Sequence, residues 1–174
     1  MFYDRADKMI TQIFYCDDKI RDLEKIRDFK HLIKYLEEIP FSEENYAAQI
    51  AYSWFLYCEG DFIAEKVSYD WKFYQRKWAE KIQLAINRYQ DPKISFIVAY
   101  SLEISGMDID NYSDYENISE KCYEFSRKTT QDRNFSRLIE VLSSHRGIQL
   151  EKDIREKLFP NDTLIDKYFL EVLS

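Results

Sequence analysis

Apolar residues recur at helical spacing along almost the whole chain. The longest regular stripe advances in steps of three or four residues and consists of Ile63, Val67, Trp71, Tyr74, Trp78, Ile82, Ala85 and Tyr89. This stripe predicts one fourth helix of about 28 residues, capped at its start by Asp61. No segment shows the strict alternation of apolar and polar residues that indicates a β-strand.

Capping residues, glycine and proline divide the rest of the chain into further helices. Ser42 is placed to cap a third helix that ends near Cys58, just before Gly60. Pro92 follows an aspartate and opens a fifth helix. Thr130 is expected to cap a seventh helix, and two shorter helices follow it.

These signals predict a single all-α domain over residues 1–174, with about seven to nine helices in stacked antiparallel hairpins or an irregular bundle. Residues 1–39 contain either one helix or two. The third and fifth helices are apolar on nearly all sides, so we expect them to be central. The side chains expected to be largely buried are Trp54, Trp71, Trp78, Ile50, Ile82, Ile97, Val98 and Leu138.

Length and composition fit one domain with a core of its own. The chain has 174 residues, of which 45% are hydrophobic and 33% are charged. Its three cysteines form no C-x-x-C pair, which indicates free thiols in a reducing compartment. The N-terminus lacks a signal-peptide pattern, and no apolar run reaches the roughly 20 residues of a spanning helix. We therefore expect a cytoplasmic protein without membrane contact.

Motifs of catalysis and cofactor binding are missing from the sequence. It has two histidines, no phosphate-binding glycine loop and neither a G-x-S-x-G nor an H-E-x-x-H motif. We expect no enzyme activity, no metal and no cofactor. Basic residues of the fourth helix are interpreted as its solvated face, because its aromatic residues form one core stripe. Direct binding of nucleic acid is therefore not expected. An unrecognised helical enzyme or nucleic-acid binder is kept as a hypothesis behind the two that are given below.

Negative charge is concentrated in two stretches of the chain. The net charge is -7, and residues 35–65 and 94–120 contain acidic residues but no lysine or arginine. If consecutive helices run antiparallel, the loops after the third and fifth helices lie at the same end of the bundle. The predicted partner-binding patch consists of Glu59, Asp61, Glu65, Glu103, Asp108, Asp110 and Asp114 with Tyr112 and Tyr115. Acidic side chains beside tyrosines suit a basic protein partner.

The segments Tyr57–Asp61 and Gly106–Tyr112 are the acidic ends of two apolar helices. Together with the size and the all-helical pattern, they make the chain resemble the small acidic helical immunity proteins of bacterial contact-dependent toxin systems. This resemblance implies an inhibitor that binds a basic, nuclease-type toxin domain tightly and catalyses nothing. The alternative is a helical-hairpin adaptor or regulatory scaffold that holds a peptide or a partner helix in an aromatic groove.

Overall fold

A computed structural model of the chain describes residues 12–63, 69–88, 91–109, 114–144 and 149–174, with the backbone only at 61–63. Within these ranges the chain forms nine α-helices, one 3-10 turn and no strand, so the predicted all-α fold is confirmed. No helix in them is long and apolar enough to cross a membrane. The helices are α1 (Asp18–Lys25), α2 (Phe29–Glu38), α3 (Glu43–Ile63), α4 (Trp71–Arg88), α5 (Pro92–Ser105), α6 (Tyr115–Thr129), α7 (Arg133–Ser143), α8 (Lys152–Leu158) and α9 (Leu164–Val172).

Helices α3 and α5 form the centre of the bundle, as their sequences predict. Every residue from Asn45 to Leu56 and from Ile94 to Leu102 is buried. Helix α3 packs against α2, α4, α5 and α9, and α5 packs against α3, α4 and α6. A helix that is apolar on all sides is stable only when its neighbours cover it. The other helices therefore provide that cover.

Hydrogen bonds from buried tryptophans fix how the central helices pack. The indole Nε1 of Trp54 on α3 donates to the Ser105 hydroxyl at 3.0 Å, and that of Trp78 on α4 donates to the Ser101 hydroxyl at 3.0 Å. Both serines belong to α5 and are buried. A buried indole N–H without an acceptor is costly, so these two bonds favour one position of α5 against α3 and α4.

The first described helices are two and not one. Asp17 caps α1 by accepting a hydrogen bond from the Ile20 backbone N–H at 2.9 Å. The chain then turns at Arg27, which has a positive φ of 58°, before Asp28 begins α2. A residue in the left-handed region cannot continue a right-handed helix, and this explains the break.

Two of the predicted caps have different outcomes in the structure. Ser42 is confirmed as the cap of α3, because its hydroxyl accepts a hydrogen bond from the Asn45 N–H at 3.0 Å. The prediction for Thr130 is wrong, since this residue ends α6. Asp132 caps α7 instead and accepts a bond from the Phe135 N–H at 2.8 Å. Aspartate two residues downstream was the better cap.

The predicted fourth helix begins later than its apolar stripe indicates. Helix α3 continues to Ile63, so Asp61 lies in its last turn and does not cap α4. Helix α4 begins at Trp71, and the carboxylate of Asp70 accepts a hydrogen bond from the Phe73 N–H at 3.2 Å. Val67 and Tyr89, which the prediction also placed in this helix, lie outside the described residues.

Gly60 lies inside α3 and does not end it. Residue 60 is a glycine because the ring of Tyr69 overlaps the position that a side chain there would occupy. The Tyr69 hydroxyl is 2.6 Å from the carbonyl oxygen of Leu56 and 2.9 Å from that of Tyr57. Glycine is needed here because of a close side-chain approach, whereas the prediction used it as a helix stop.

Burial of the predicted core agrees with the structure at every position except one. Trp71 is 43% exposed, so its predicted burial is wrong. It is the first residue of α4, and its ring contacts Tyr57 at 6.4 Å between centroids. The positions confirmed as buried are Trp54, Trp78, Ile50, Ile82, Ile97, Val98 and Leu138.

An aromatic cluster around Phe169 attaches both ends of the described chain to the central helices. Its ring centroid lies 4.9 Å from that of Tyr100, 5.1 Å from Phe159, 5.6 Å from Phe14 and 5.9 Å from Phe96. All five residues are buried. Helix α9 is thus held by aromatic packing against α5, and the segment before α1 packs in turn against Phe169 of α9.

We expect Trp78→Ala to lower the free energy of unfolding by about 3–5 kcal/mol, because it leaves a large cavity and removes the donor to the buried Ser101 hydroxyl. Trp71→Ala is the matched control, and a loss below about 1 kcal/mol is expected at this half-exposed position. Urea denaturation of both variants tests the assignment. Equal losses at the two positions would contradict it.

Gly60→Ala is expected to destabilise the wild-type protein by about 1–3 kcal/mol, although alanine favours a helix, because the new methyl group overlaps the Tyr69 ring. In a Tyr69→Ala background the same substitution should stabilise by up to about 1 kcal/mol. A double-mutant cycle in urea measures this change of sign. If Gly60→Ala has the same sign in both backgrounds, the ring does not explain the glycine.

Candidate functional site

The C-terminal ends of α3 and α5 lie together, as the antiparallel arrangement predicts. The Ser105 hydroxyl at the end of α5 is 3.1 Å from the Cys58 sulfur on α3. The Gln75 side chain, from the beginning of α4, donates to the Asp108 carbonyl oxygen at 3.1 Å. Three helix ends and the 3-10 turn at Gly106–Asp108 therefore meet at one end of the bundle.

Glu59 and Asp108 both act electrostatically on the Cys58 thiol. Burial raises the pKa of this thiol to about 11, the hydrogen bond with Ser105 lowers it, and the charges of Glu59 and Asp108 raise it. Burial also raises the pKa of Tyr57 to about 12, together with the hydrogen bond of its hydroxyl to Asp108. Asp108 itself is exposed and Glu59 is half-buried.

Glu103 lies in the last turn of α5 and contacts α6. Its carboxylate accepts a hydrogen bond from the Tyr123 hydroxyl on α6 at 3.0 Å. Two tyrosines, whose hydroxyls are 2.9 Å apart, lie within electrostatic range of the two acids, Tyr100 near Glu103 and Tyr168 near Glu59. Burial is the largest cause of the raised pKa of both tyrosines. The charge of Glu103 raises the pKa of Tyr100 further, and the charge of Glu59 raises that of Tyr168. We call Glu59, Glu103 and Asp108 the acidic end.

A groove beside Glu103 extends the acidic end along α6. It has a volume of about 530 Å³, and α5, α6 and α7 contribute to its walls. Glu116, Glu120 and Glu124 line it from α6, where a spacing of four residues places them on one face. Among the described lining residues Arg127 is the one cation. We call this cavity the α6 groove.

The carboxylates of the α6 groove differ in their partners. Glu124 forms an ion pair with Lys128 at 2.6 Å, and this hydrogen bond holds the pKa of Glu124 below its usual value. Glu116 and Glu120 are exposed, and neither forms an ion pair with any residue in the described ranges. These two charges are thus available to a partner.

Tyr115 and Asp114 complete the described part of the predicted patch. The Tyr115 ring packs against Gly106, where an added side chain would collide with it, and it also lines the α6 groove. Asp114 precedes α6, is exposed and accepts a hydrogen bond from the Asn117 side chain at 2.9 Å. Aromatic and acidic groups therefore lie side by side here.

The predicted site residues thus fall into three sets. Glu59, Glu103 and Asp108 form the acidic end, and Tyr115 joins Glu103 in the groove, with Asp114 at the start of α6. The prediction did not include Glu116, Glu120 or Glu124, although their four-residue spacing is visible in the sequence. The side chain of Asp61 and the residues Glu65, Asp110 and Tyr112 lie outside the described part of the chain.

The chemistry available at this end is that of anionic oxygens and phenol hydroxyls. The described residues include no group of three or more histidine, cysteine or acidic side chains placed to hold a metal ion. Exposed carboxylates beside tyrosines can accept hydrogen bonds from lysine and arginine side chains and pack against their aliphatic parts.

Replacing Glu59 by glutamine together with Asp108→Asn should lower the pKa of Cys58 and raise its alkylation rate roughly threefold at pH 8, because the thiolate is the reactive form. Iodoacetamide labelling of the full chain, followed by peptide mass spectrometry, measures each cysteine. Cys122 is the internal control, since burial alone raises its pKa to about 11. An unchanged Cys58 rate would show that the two carboxylates do not act on it, and equal acceleration of both cysteines would indicate unfolding.

Comparison with known proteins assigns this chain to no family. No protein-family model matches it, and neither a curated protein nor a solved structure does so. The resemblance to immunity proteins therefore stays a prediction.

Proposed function

We propose that this chain is a protein-binding inhibitor of the immunity type, which neutralises a basic, nuclease-type toxin through its acidic end and the α6 groove. The observation that carries the proposal is the pair of exposed carboxylates Glu116 and Glu120, which have no ion-pair partner in the described ranges and lie beside Glu103. The proposal includes no direct contact with nucleic acid or membrane.

Fold stability explains only part of this arrangement of charge, since the helix dipole favours Glu116 in the first turn of α6. Like charges four residues apart on a helix destabilise it by about 0.2–0.5 kcal/mol per pair, and Glu116, Glu120 and Glu124 form two such pairs. Glu103 lies in the last turn of α5, where the helix dipole disfavours an acid. A basic partner would remove both penalties. Its binding would gain free energy from charges that cost the free protein stability.

An acidic surface is a suitable inhibitor of a nuclease for a simple electrostatic reason. A nuclease binds phosphates through lysine and arginine side chains, so the surface that contacts its substrate is positively charged. A protein with closely spaced carboxylates competes for that surface, and opposite charge accelerates association. Tyr115, which is half-buried beside the carboxylates, supplies amphipathic contact area of the kind that is typical of binding hot spots.

A different observation favours the alternative function, a helical-hairpin adaptor or scaffold. Met107 is 74% exposed, and Ile104 and Trp71 are also exposed near the end of α5 and the start of α4. Apolar side chains at this end could anchor a peptide or a partner helix. An adaptor of this kind would hold its partner mainly through burial of apolar surface. Added salt would have little effect on the affinity of such a complex.

The proposal is tested with tagged chain as bait at low salt, followed by a salt wash and mass spectrometry of what is released. We expect a basic protein in stoichiometric amount that salt removes, and whose nuclease activity falls when the chain is added. Glu116→Lys with Glu120→Lys should weaken that complex at least tenfold, since two attractive contacts become repulsive.

The matched control is Asp22→Lys with Glu38→Lys, which makes the same change in net charge on α1 and α2, away from the α6 groove. It should retain binding to within about twofold, because only long-range steering changes. Equal loss in both double variants would mean that net charge alone acts. If both double variants still bind the partner and these complexes survive the salt wash, the adaptor function is favoured.

A further inference from the structure

A pair of acidic residues, one buried and one half-buried, lies where α1, α3 and α9 meet, outside the acidic end. Asp166 in the first turn of α9 is 1% exposed. Glu24 on α1 is half-buried on the same seam and acts electrostatically on Asp166. Buried carboxyl groups are rare unless a cation or several hydrogen bonds compensate them. The contacts of this seam therefore need an explanation.

Hydrogen bonds from three elements converge on the two carboxyl groups. One oxygen of Glu24 accepts from the Tyr52 hydroxyl of α3 at 2.5 Å and from the Leu164 backbone N–H of α9 at 3.0 Å. Asp166 accepts from the Asn161 N–H at 2.8 Å. The two acids thus attach the beginning of α9, and the turn before it, to α1 and α3.

No cation in the described ranges forms an ion pair with either acid. Arg21 donates to Asp18 at 3.0 Å and to the Asn161 side chain at 3.5 Å. Lys167 forms its ion pair with Asp162 at 2.8 Å. The charged and titratable groups of the surrounding elements are Cys16 and Asp17 before α1, Arg21 and Glu24 on α1, Tyr52 on α3, and Asp162 and Lys167 at α9.

The balance of these groups favours a neutral Asp166 in the docked structure. Burial raises the pKa of Asp166 to about 7; the hydrogen bond from the Asn161 backbone N–H lowers it, the charge of Glu24 raises it and that of Arg21 lowers it. Glu24 accepts two hydrogen bonds on one oxygen, as suits a carboxylate, although burial raises its pKa as well. Two neighbouring buried acids with no ion-paired cation cannot both ionise at low cost.

We propose that Asp166 is a proton-dependent latch: the neutral acid keeps α9 docked beside Glu24, and loss of its proton weakens the docking of α9. The latch involves proton transfer to and from water only, with no other covalent change. It acts on the seam and does not depend on which partner the protein binds.

The latch also reaches the acidic end through α9. Two residues after Asp166, the Tyr168 ring packs against Trp54 with 5.5 Å between centroids, and its hydroxyl contacts that of Tyr100. Release of α9 would therefore disturb the pair of tyrosines near Glu59 and Glu103. This consequence for partner binding rests on the proposed function, whereas the latch itself does not.

The sign of the pH dependence follows from linkage. Asp166 has a pKa of about 7 in the docked state, and an opened α9 returns it to its ordinary value near 3.8. The proton thus favours the docked state, and the stabilisation is complete below pH 4. Opening becomes about tenfold more frequent per pH unit between roughly pH 4 and 7, and it levels off above that range.

Hydrogen exchange of the α9 amides in the full chain tests the latch, from pH 4.5 to 8 and corrected for the intrinsic exchange rate. We expect the opening equilibrium to rise at least thirtyfold between pH 4.5 and 7. In Asp166→Asn, which keeps the shape and cannot titrate, this rise should disappear. Asp162→Asn is the matched control, an exposed neighbour whose removal should leave the rise in place.

A carboxyl carbon NMR titration of the wild-type chain gives a second readout that needs no variant to fold. We expect the Asp166 resonance to titrate at least two pH units above the ordinary aspartate value of 3.8. Titration of Asp166 near pH 4, or an unchanged rise of opening in Asp166→Asn, would overturn the latch. Because both measurements use the chain alone, neither result decides whether the proposed partner exists.

Discussion

The constraint on which the rest of this structure depends is that α3 and α5 have no solvent face over most of their length. Their residues from Asn45 to Leu56 and from Ile94 to Leu102 are all buried, so they must be enclosed by other helices. Burial of two such helices also demands partners for their polar groups. Ser101 and Ser105 supply acceptors for the indole N–H groups of Trp78 and Trp54, and this fixes α5 against its neighbours.

The acidic end is a direct consequence of that packing. Because α4 returns antiparallel between them, α3 and α5 run in the same direction, and their C-terminal ends lie side by side. The last carbonyls of a helix have partial negative charge, so Glu59 and Glu103 add to a potential that is already negative. The α6 groove continues this potential with the stripe of Glu116, Glu120 and Glu124. The carboxylates of the acidic end and the α6 groove, whose mutual repulsion destabilises the fold, are thus gathered on one surface.

Helix α9 links the hydrophobic core to both polar regions. Phe169 belongs to the aromatic cluster, Tyr168 contacts Tyr100 near the acidic end, and Asp166 lies on the seam with Glu24. It is a short helix of nine residues, and its position depends on these side-chain contacts more than on its own helix propensity. The buried Asp166 at its beginning and Tyr168 in its middle therefore respond to the same docking equilibrium.

The sequence by itself determined the helical class, the central place of α3 and α5, and the common end of their acidic residues, because helical periodicity and local charge are properties of neighbouring residues. Only the tertiary structure decided the rest. Gly60 is explained by the ring of Tyr69, and Trp71 is exposed because α4 begins there. The groove and the pairing of Glu24 with Asp166 join residues far apart in the chain. No local pattern can specify such contacts, since they depend on how the helices pack.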